Sequence, residues 1–329
     1  MLLSRSPVLL SGALVLLLSA CGPTGPGAAS GGPRDQGSAA APSAITLKLP
    51  TAAEVEAAVA VGVSNKELPT QPSDIGNPGW QDHCEAQRQE TSSTVCVHGD
   101  TNGARLVVVY GDSHAGMWIP SFDAIGKEKH WKVAQLSKQA CQVADFPRYD
   151  DVARRPYTEC DVFRAFALEQ IRSLHPDVLV LTSAFKDSYL NVNGAASTEG
   201  IDNAWRSGLD AMIKKLMPLA SRIVLLGDIA YPKTAGRDCL IDHPHDVAAC
   251  NTPRTDAVFV QHNRMEQDVA TQNGITYVDV IPWFCTDTTC PAVVGGLATH
   301  WDKYHVALNY ALWLSAALGE ATGLLKSGS

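Results

Sequence analysis

One stretch of the sequence, VVVYGDSHAGMWIP at positions 107–120, constrains the fold most strongly. A run of β-branched and apolar residues ends at Gly111, and a segment that is compatible with a helix begins near Ala115. In an open parallel sheet, a turn of this kind holds a serine at the carboxyl edge, above the positive end of the next helix. The stretch therefore predicts an α/β fold with Ser113 in the position of a nucleophile.

Alternating strand and helix patterns continue along the chain. The predicted strands are rich in Val and Leu and lack polar alternation, which is typical of strands that helices cover on both faces. Joined by right-handed crossovers, they predict a flavodoxin-like, three-layer α/β/α sandwich with a five-stranded parallel sheet. The predicted strands are 106–110, 132–136, 178–182, 223–226 and 276–280, and the predicted helices are 115–129, 158–174, 201–219, 255–273 and 305–319.

The first residues indicate export. Arg5 precedes an apolar run at 8–18, and Leu18-Ser19-Ala20-Cys21 matches a bacterial lipobox. We expect a lipoprotein signal peptide at 1–20 and lipidation of Cys21, although an ordinary signal peptide followed by a chance cysteine would look similar. Residues 21–45, rich in Gly, Pro, Ala and Ser, predict a flexible tether. They would be followed by an extension at 46–104, packed on a catalytic domain at 105–320.

Eight cysteines remain after Cys21, and an even number in an exported chain indicates disulfides. Eight cysteines allow 105 connectivities, but the eight residues fall into four pairs that are close in sequence. The sequence contains no C-x-x-C motif and no Cys/His tetrad that would indicate a zinc site, so we expect no metal. The predicted disulfides are Cys84–Cys96, Cys141–Cys160, Cys239–Cys250 and Cys285–Cys290.

The net charge of −8 is spread along the chain without a basic cluster. Nucleic acid is therefore not an expected partner. No second long apolar segment follows the signal, so we expect attachment to the membrane through the N-terminal lipid alone. Nothing in the sequence indicates a dimer, and we expect a monomer at the extracytoplasmic face of the cell envelope.

A D-x-x-H pattern near the end of the chain complements Ser113. Serine attacks only when an imidazole takes its proton, and that imidazole needs a carboxylate to fix its tautomer. His305 and Asp302 are candidates for these two roles, with His300 as the rival base. Two structural explanations compete: the GDS turn could be only a capped helix start, and Asp302 could be only the N-cap of the last helix.

Other polar residues have weaker claims. His114 is a candidate substrate contact or helix N-terminal residue. The cluster at 242–246, with two histidines and two aspartates, could hold a metal but is more typical of a solvated loop. Two aspartates at strand ends could approach the site, although such residues usually cap the next turn. The two adjacent arginines could contact an anionic polymer or could simply be exposed. The residues in question are Asp242, His243, His245 and Asp246; Asp228 and Asp279; and Arg154 and Arg155.

Several blocks occur in an order that resembles a known family. They read CVHGDTNGARLVVVYGDSHAGMW, LSKQACQVAD, LHPDVLVLTSAF, CTDTTCPAVVGG and WDKYHVALNYA. From about residue 51 to 318, the chain resembles the SGNH domain of GDSL-like hydrolases. The closer resemblance is to the version fused to membrane acyltransferase-3 proteins, which O-acetylate bacterial surface polysaccharides. It implies Ser113 as nucleophile, His305 as base and Asp302 as its orienter, and it requires no cofactor.

The oxyanion hole departs from the pattern of the general family. That family uses the N–H of the nucleophile, a glycine N–H after the second strand and an asparagine after the third. Ser113 supplies the first donor, but the glycine block reads Gln139-Ala140-Cys141 and no asparagine follows Thr182. We expect the Ala140 N–H to replace the glycine donor, and either Ser183 or a backbone amide to replace the asparagine. Otherwise turnover would be slow, since losing one donor can cost a hundredfold in rate.

These observations predict a stand-alone, lipid-anchored serine acylesterase or O-acyltransferase that acts on cell-envelope glycans. An acetyl group would pass through Ser113 to water or to a sugar hydroxyl, and a membrane acyltransferase is a candidate partner that would deliver it. The alternative is a non-catalytic glycan-binding lipoprotein with a degenerate site. A hydrogen bond between Ser113 and His305 would favour the enzyme, and a cleft filled by side chains would favour the binding protein.

Overall fold

The computed structural model describes residues 49–67, 75–77, 83–185, 189–191 and 193–325. Leu47–Ser329 forms one compact unit. The predicted signal peptide, the tether and Cys21 lie outside the described residues. Among the helices of the described ranges, none combines the length and the apolar character that a membrane span requires.

Seven strands form the central sheet. They are β1 (Glu85–Ala86), β2 (Val97–Gly99), β3 (Arg105–Gly111), β4 (Trp131–Lys138), β5 (Val178–Thr182), β6 (Ile223–Leu226) and β7 (Thr276–Val278). The order across the sheet is β1-β4-β3-β5-β6-β7, with all neighbours parallel. The remaining strand, β2, pairs antiparallel with β4.

The predicted α/β class is confirmed, and the five predicted strands correspond to β3–β7. The sheet is larger than predicted because the 46–104 extension adds β1 and β2 beside β4. These strands have two and three residues, which is too few to show a period in the sequence. Four further pairs of two-residue strands lie outside the sheet: Tyr149–Asp150 with Arg155–Pro156, Tyr189–Leu190 with Ala196–Ser197, Thr252–Pro253 with Thr289–Cys290, and Val293–Val294 with Leu297–Ala298.

The helices fill the two outer layers. They are α1 (Ala52–Gly62), α2 (Ser113–Lys129), α3 (Thr158–Leu174), α4 (Ile201–Leu216), α5 (Gly236–Asp242), α6 (Arg254–Ala257), α7 (Val260–Gln272), α8 (Leu308–Trp313) and α9 (Ser315–Ala321). Short 3-10 turns occur at Met217–Leu219, Val247–Cys250 and Ile281–Trp283.

Two predicted helices are divided in the structure. The predicted helix 255–273 is interrupted because Val258 adopts an extended backbone, so α6 and α7 are separate. The predicted helix 305–319 begins only at Leu308, because a bridge between His300 and Val306 holds the preceding residues in a loop. This loop carries the D-x-x-H pattern.

The strand β3 shows how the sheet separates two apolar layers. Val107 and Val109 pack with residues of α1, α2, α8 and α9, whereas Val108 and Tyr110 pack with residues of α3, α4 and α7. Successive side chains of a strand point to opposite faces, so a continuous apolar run fills both layers. The carboxyl edge of β3 is thereby held in a fixed position under the GDS turn.

The disulfides follow the sequence pairs. The eight described cysteines are joined as Cys84–Cys96, Cys141–Cys160, Cys239–Cys250 and Cys285–Cys290. Each bond closes a short loop, with sequence separations from 5 to 19 residues. Several of these loops lie at the carboxyl edge of the sheet, so the bonds restrain the segments around the candidate site.

Candidate active site

The turn after β3 places Ser113 at the first position of α2. Asp112 is the N-cap, and its carboxylate accepts the N–H of His114 at 2.9 Å. Glycine is required at position 111, because a Cβ there would lie 1.9 Å from the carbonyl oxygen of Thr182 in β5. This close approach of two backbones brings the nucleophile turn against the loop that follows β5.

Ser113, His305 and Asp302 form a continuous hydrogen-bonded chain. The Ser113 Oγ lies 2.9 Å from His305 Nε2, and His305 Nδ1 lies 2.8 Å from Asp302 Oδ2. With Nδ1–H donating to the carboxylate, Nε2 is free to accept the serine proton. The sequence separates Ser113 from His305 by 192 residues, and the fold brings them into contact.

The loop before α8 orients Asp302. Its Oδ1 accepts the backbone N–H groups of Tyr304 and His305, each at 2.7 Å. Asp302 therefore caps its own turn, and the N-cap of α8 is Ala307. The D-x-x-H spacing thus lets one carboxylate fix both the backbone and the imidazole of the same turn.

The surroundings favour a neutral imidazole and a charged carboxylate. Burial lowers the pKa of His305 below 6.5, although the hydrogen bond to Asp302 acts in the opposite direction. Burial alone would raise the pKa of Asp302, but the hydrogen bonds from His305 and the two backbone N–H groups bring it below its usual value. At neutral pH, His305 is therefore in the protonation state that a general base needs.

Asp112 joins three segments under the site. Besides the His114 N–H, its carboxylate accepts the Ala184 N–H at 2.9 Å and the Gln142 amide at 3.1 Å. The side chain is fully buried, and burial raises its pKa. These bonds connect the nucleophile turn to the loops after β4 and β5.

A second histidine–aspartate pair lies next to the first. His114 Nδ1 is 3.0 Å from Asp228 Oδ1, and both side chains are completely buried. Asp228 also accepts the hydroxyl of Tyr231 at 2.6 Å and the N–H of Phe185 at 2.9 Å. Burial would raise the pKa of Asp228, but these donors hold it below its usual value. The His114 ring lies edge-on to His305, with a centroid distance of 5.7 Å.

A cavity of about 460 Å³ opens beside Ser113. Its floor carries Ser113, His114 and His305, and one wall is formed by the segment that follows β4 together with the residues around Tyr149. The lining residues are Arg88, Asp112, Ser113, His114, Gln139, Ala140, Arg148, Tyr149, Asp151, Val152, Tyr157, Ala184, Tyr304 and His305. The volume lies within the range of small-molecule sites.

Two residues that line the cavity, Ser113 and Ala140, carry the backbone N–H groups that are candidate oxyanion donors. Ser113 is the first residue of α2, so its N–H has no acceptor within the helix. Ala140 lines the cavity in a left-handed conformation, with φ of 53°. In the described part of the chain, no backbone acceptor lies within hydrogen-bonding distance of its N–H. A glycine would adopt this conformation without strain, which agrees with the glycine that the family pattern has here.

The Ser183 hydroxyl makes a contact that the sequence did not predict. Its hydroxyl oxygen accepts the N–H of Val143 at 2.9 Å, and the neighbouring Ala184 lines the cavity in its place. Because the Ala184 N–H donates to Asp112, it is also engaged. A role of Ser183 as third oxyanion donor stays a prediction, and its observed contact holds the loop after β4.

The other candidates lie away from the triad. His300 is buried, bonds to Thr299 and to the Ala230 carbonyl oxygen, and has its pKa lowered to about 4 by burial. Asp279 caps the turn at Ile281. In the 242–246 cluster, His245 pairs with Glu67 on the surface. The described residues contain one Cys/His group of metal-ligand spacing, around His83, and its two cysteines are bonded to each other.

The sequence did not predict that the 46–104 extension forms part of the cavity wall. Lys138, at the end of β4, is buried and donates to three carbonyl oxygens of the 87–90 loop at 2.6–2.9 Å. Burial lowers its pKa to about 8. These bonds bring Arg88 to the cavity, where it pairs with Asp150 at 3.0 Å. The one signal for this in the sequence is a lysine just after the predicted second strand.

Comparisons with known proteins agree with this architecture. The family model "SGNH domain (fused to AT3 domains)" matches residues 83–320. The structure is similar to the periplasmic domain of a lipopolysaccharide acetyltransferase from Salmonella ser. Paratyphi A, with a TM-score of 0.50 and 16% identity over 67% of this chain and 84% of that chain.

It is also similar to Axe2, an acetylxylan esterase from Geobacillus stearothermophilus, with a TM-score of 0.42 and 13% identity over 70% of this chain and 100% of that chain. No curated protein matches the sequence. At 16% identity, the Salmonella domain shows a shared fold, and the family assignment rests on the match over 83–320. The chain therefore belongs to the family of SGNH domains of the kind fused to AT3 domains, and it is an SGNH-type esterase or acyltransferase.

Proposed function

We propose that this protein moves an O-acetyl group on a cell-envelope glycan through an acyl-enzyme formed on Ser113. The observation that carries the proposal is the chain of hydrogen bonds from Asp302 through His305 to Ser113, at the floor of an open cavity. Each member already has the geometry and protonation state of its role. A filled cleft would favour a binding protein instead, and the cavity of about 460 Å³ opposes that reading.

The first half of the reaction breaks the ester of the acyl donor. His305 Nε2 takes the proton of the Ser113 hydroxyl while Oγ bonds to the acyl carbon, and the carbonyl oxygen becomes an oxyanion. The N–H groups of Ser113 and Ala140 stabilise that charge, helped by the positive end of α2. When the carbonyl re-forms, the donor oxygen leaves with the proton from His305, and the acetyl group remains on Ser113.

The second half repeats these steps with a new acceptor. His305 removes a proton from water or from a sugar hydroxyl, and the acceptor oxygen attacks the acetyl-serine. Water gives deacetylation, and a sugar hydroxyl gives transfer. Both courses use the same residues, so the acceptor that the cavity admits decides between them. The chain's own groups are sufficient for either course.

The setting of the reaction is part of the proposal. Four disulfides support an oxidising compartment outside the cytoplasm. A neighbour of similar fold is the periplasmic domain of a lipopolysaccharide acetyltransferase, which supports an extracytoplasmic glycan as substrate. The family name supports an AT3-type membrane acyltransferase as the partner that delivers the acyl group. We further propose that the protein is a monomer and that lipid on Cys21 holds it at the membrane.

Hydrolysis of p-nitrophenyl acetate tests the serine mechanism. We expect turnover by the wild-type protein and background rates for Ser113→Ala and His305→Ala. His245→Ala is the matched control, because it removes an exposed imidazole that pairs with Glu67, and it should retain full activity. Equal rates in all four folded proteins would overturn the proposal.

A second measurement identifies the acceptor. The protein is mixed with p-nitrophenyl acetate, with or without a large excess of a free oligosaccharide, and the products are separated by mass. Acetylated oligosaccharide that requires Ser113 would establish transfer, and acetate alone would establish hydrolysis. Mass analysis of the peptide that contains Ser113, after rapid acid quenching, should detect the acetyl-serine in both cases.

A further inference from the structure

Four aromatic side chains form a row that leads away from the catalytic histidine. Tyr304 is followed by Tyr231 at a centroid distance of 6.2 Å, then by Phe259 at 5.6 Å and by Phe185 at 4.8 Å. Tyr304 lies 6.3 Å from His305 and lines the cavity. We call these four residues the aromatic row, which is continuous with the cavity at its Tyr304 end.

The topology explains why these residues meet. Phe185 follows β5, Tyr231 follows β6, and Phe259 immediately precedes α7, the helix that leads back to the amino end of β7. Each position is therefore at the carboxyl edge of the sheet, where Ser113 follows β3. Because β5 and β6 are successive neighbours on one side of β3, the row lies beside the triad along this edge, and it runs from Tyr231 after β6 through Phe259 to Phe185 after β5.

Neighbouring side chains hold the row in place from behind. The Tyr231 hydroxyl donates to Asp228 at 2.6 Å, and its ring stacks on His114 at 6.0 Å. Phe185 packs against Trp205 and His262 at 5.8 and 4.4 Å. Little ordering is therefore needed when a ligand binds to these rings.

The two remaining rings are open to solvent. Tyr304 is 47% exposed and Phe259 is 46% exposed, and the adjacent Val260 is 40% exposed. Exposed aromatic side chains beside a cavity are typical of binding sites, since a ring offers an apolar face at low entropic cost. Two half-exposed rings, at roughly 100 Å² each, offer far less than the roughly 800 Å² that a stable protein partner buries on each side. A small, flat ligand fits this surface better than a protein does.

We propose that the aromatic row is a second sugar-binding subsite, which holds a neighbouring sugar ring of the glycan whose acyl group lies at Ser113. The C–H faces of a pyranose ring are apolar and match the exposed faces of Tyr304 and Phe259, while its hydroxyl groups remain in water. The inference rests on the proposed function, because it takes the occupant to be the same glycan. A subsite at the aromatic row would make the enzyme selective for oligosaccharides over single sugars.

The test compares O-acetylated cellotetraose with O-acetylated methyl glucoside as substrates for wild type and Phe259→Ala. Phe259 does not line the cavity, so its loss removes only the distal contact. We expect the ratio of kcat/KM for the oligosaccharide to that for the single sugar to fall about tenfold, through KM, as for the loss of one buried aromatic contact. Phe259→Trp should restore the ratio, because it retains an aromatic face.

Met217→Ala is the control for the loss of an exposed apolar side chain. Met217 is 47% exposed and follows α4 at the opposite, amino edge of the sheet. Its ratio should equal that of the wild type. An unchanged ratio in Phe259→Ala, with the fold intact, would overturn the subsite, whether both values of kcat/KM stay at the wild-type level or fall by the same factor.

A binding measurement separates this inference from the proposed chemistry. Calorimetry with unmodified cellotetraose needs no turnover, and Ser113→Ala should bind it as the wild type does. If neither acetylated substrate is cleaved but binding is lost in Phe259→Ala, the subsite stands and the proposed reaction fails. If cleavage depends on Ser113 but Phe259→Ala neither weakens binding nor changes the ratio, the reaction stands and the subsite fails.

Discussion

Two histidine–aspartate pairs lie side by side at the carboxyl edge of the sheet. Both are joined by an imidazole–carboxylate contact, but they differ in burial and in the groups that they contact. His305 and Asp302 are 2.8 Å apart, with 14% and 30% of their side chains exposed. His114 and Asp228 are 3.0 Å apart and fully buried. The His305 ring contacts the nucleophile with its second nitrogen, whereas the His114 pair connects to Tyr231 and Phe185.

The comparison shows that a histidine–aspartate contact alone does not identify a catalytic base. What distinguishes His305 is a serine hydroxyl at Nε2 and a cavity through which a substrate reaches both groups. The buried pair instead holds the loops after β5 and β6 against the nucleophile turn. We expect one pair to govern rate and the other to govern stability.

The largest expected effect is on the catalytic pair. His305→Ala should lower kcat/KM for p-nitrophenyl acetate by about 10⁴-fold or more, because no other group takes the serine proton. Steady-state kinetics measure the loss, and circular dichroism checks the fold. A loss smaller than tenfold would assign the base to another residue and remove the distinction between the two pairs.

Asp302→Asn should lower kcat/KM by about 10³- to 10⁴-fold while leaving the fold intact. The asparagine amide would favour the wrong tautomer of His305, with the proton on the nitrogen that must accept from Ser113. The same kinetics measure the loss. Its stability should change by only about 1 kcal/mol, since Asp302 is partly solvated.

Asp228→Asn should reduce stability more than Asp302→Asn does, and it should reduce the rate less. Removing one partner of a buried pair leaves the other without compensation, so we expect a loss of about 3–5 kcal/mol in the free energy of unfolding. Urea denaturation under matched conditions gives the difference from wild type. If Asp302→Asn proved the more destabilising of the two, the assignment of stability to the buried pair would be wrong.

The pH dependence should show the smallest effect. A general base is active when deprotonated, so kcat/KM should fall as the pH drops through the pKa of His305, and burial places that pKa below 6.5. His114 also lowers it, so in His114→Gln the acidic limb should move to higher pH. Profiles over about pH 4–8 measure the limb in both proteins. A limb that stayed in place would show that the two pairs act independently.

Much of this arrangement could be predicted from the residues. The apolar runs at β3, β5 and β6 have the composition of strands buried on both faces, so the fold class and the positions of these strands follow from local pattern. The GDS turn and the D-x-x-H turn are also local, because each fixes its own backbone through a side chain of the same turn. Local order of the cysteines likewise indicated the four disulfide pairs.

The sequence did not reveal features that depend on contacts between distant segments. The partner of His114 is Asp228, more than a hundred residues away, and the wall formed by Arg88 depends on the bonds of Lys138 to the extension. Ser183 was expected to donate into the site, but its contact with Val143 depends on how the loops after β4 and β5 pack. No periodicity reports such contacts.

The sequence by itself determined five strands of the sheet, the turn that presents Ser113 and the turn that joins Asp302 to His305, because each depends on residues within a few positions of one another. Only the tertiary structure decided that these two turns face each other at 2.9 Å, that His114 is buried against Asp228, and that an aromatic row extends from the cavity. The physical reason is that β-strand order and loop packing set those distances, and both arise from the burial of apolar surface across the whole chain.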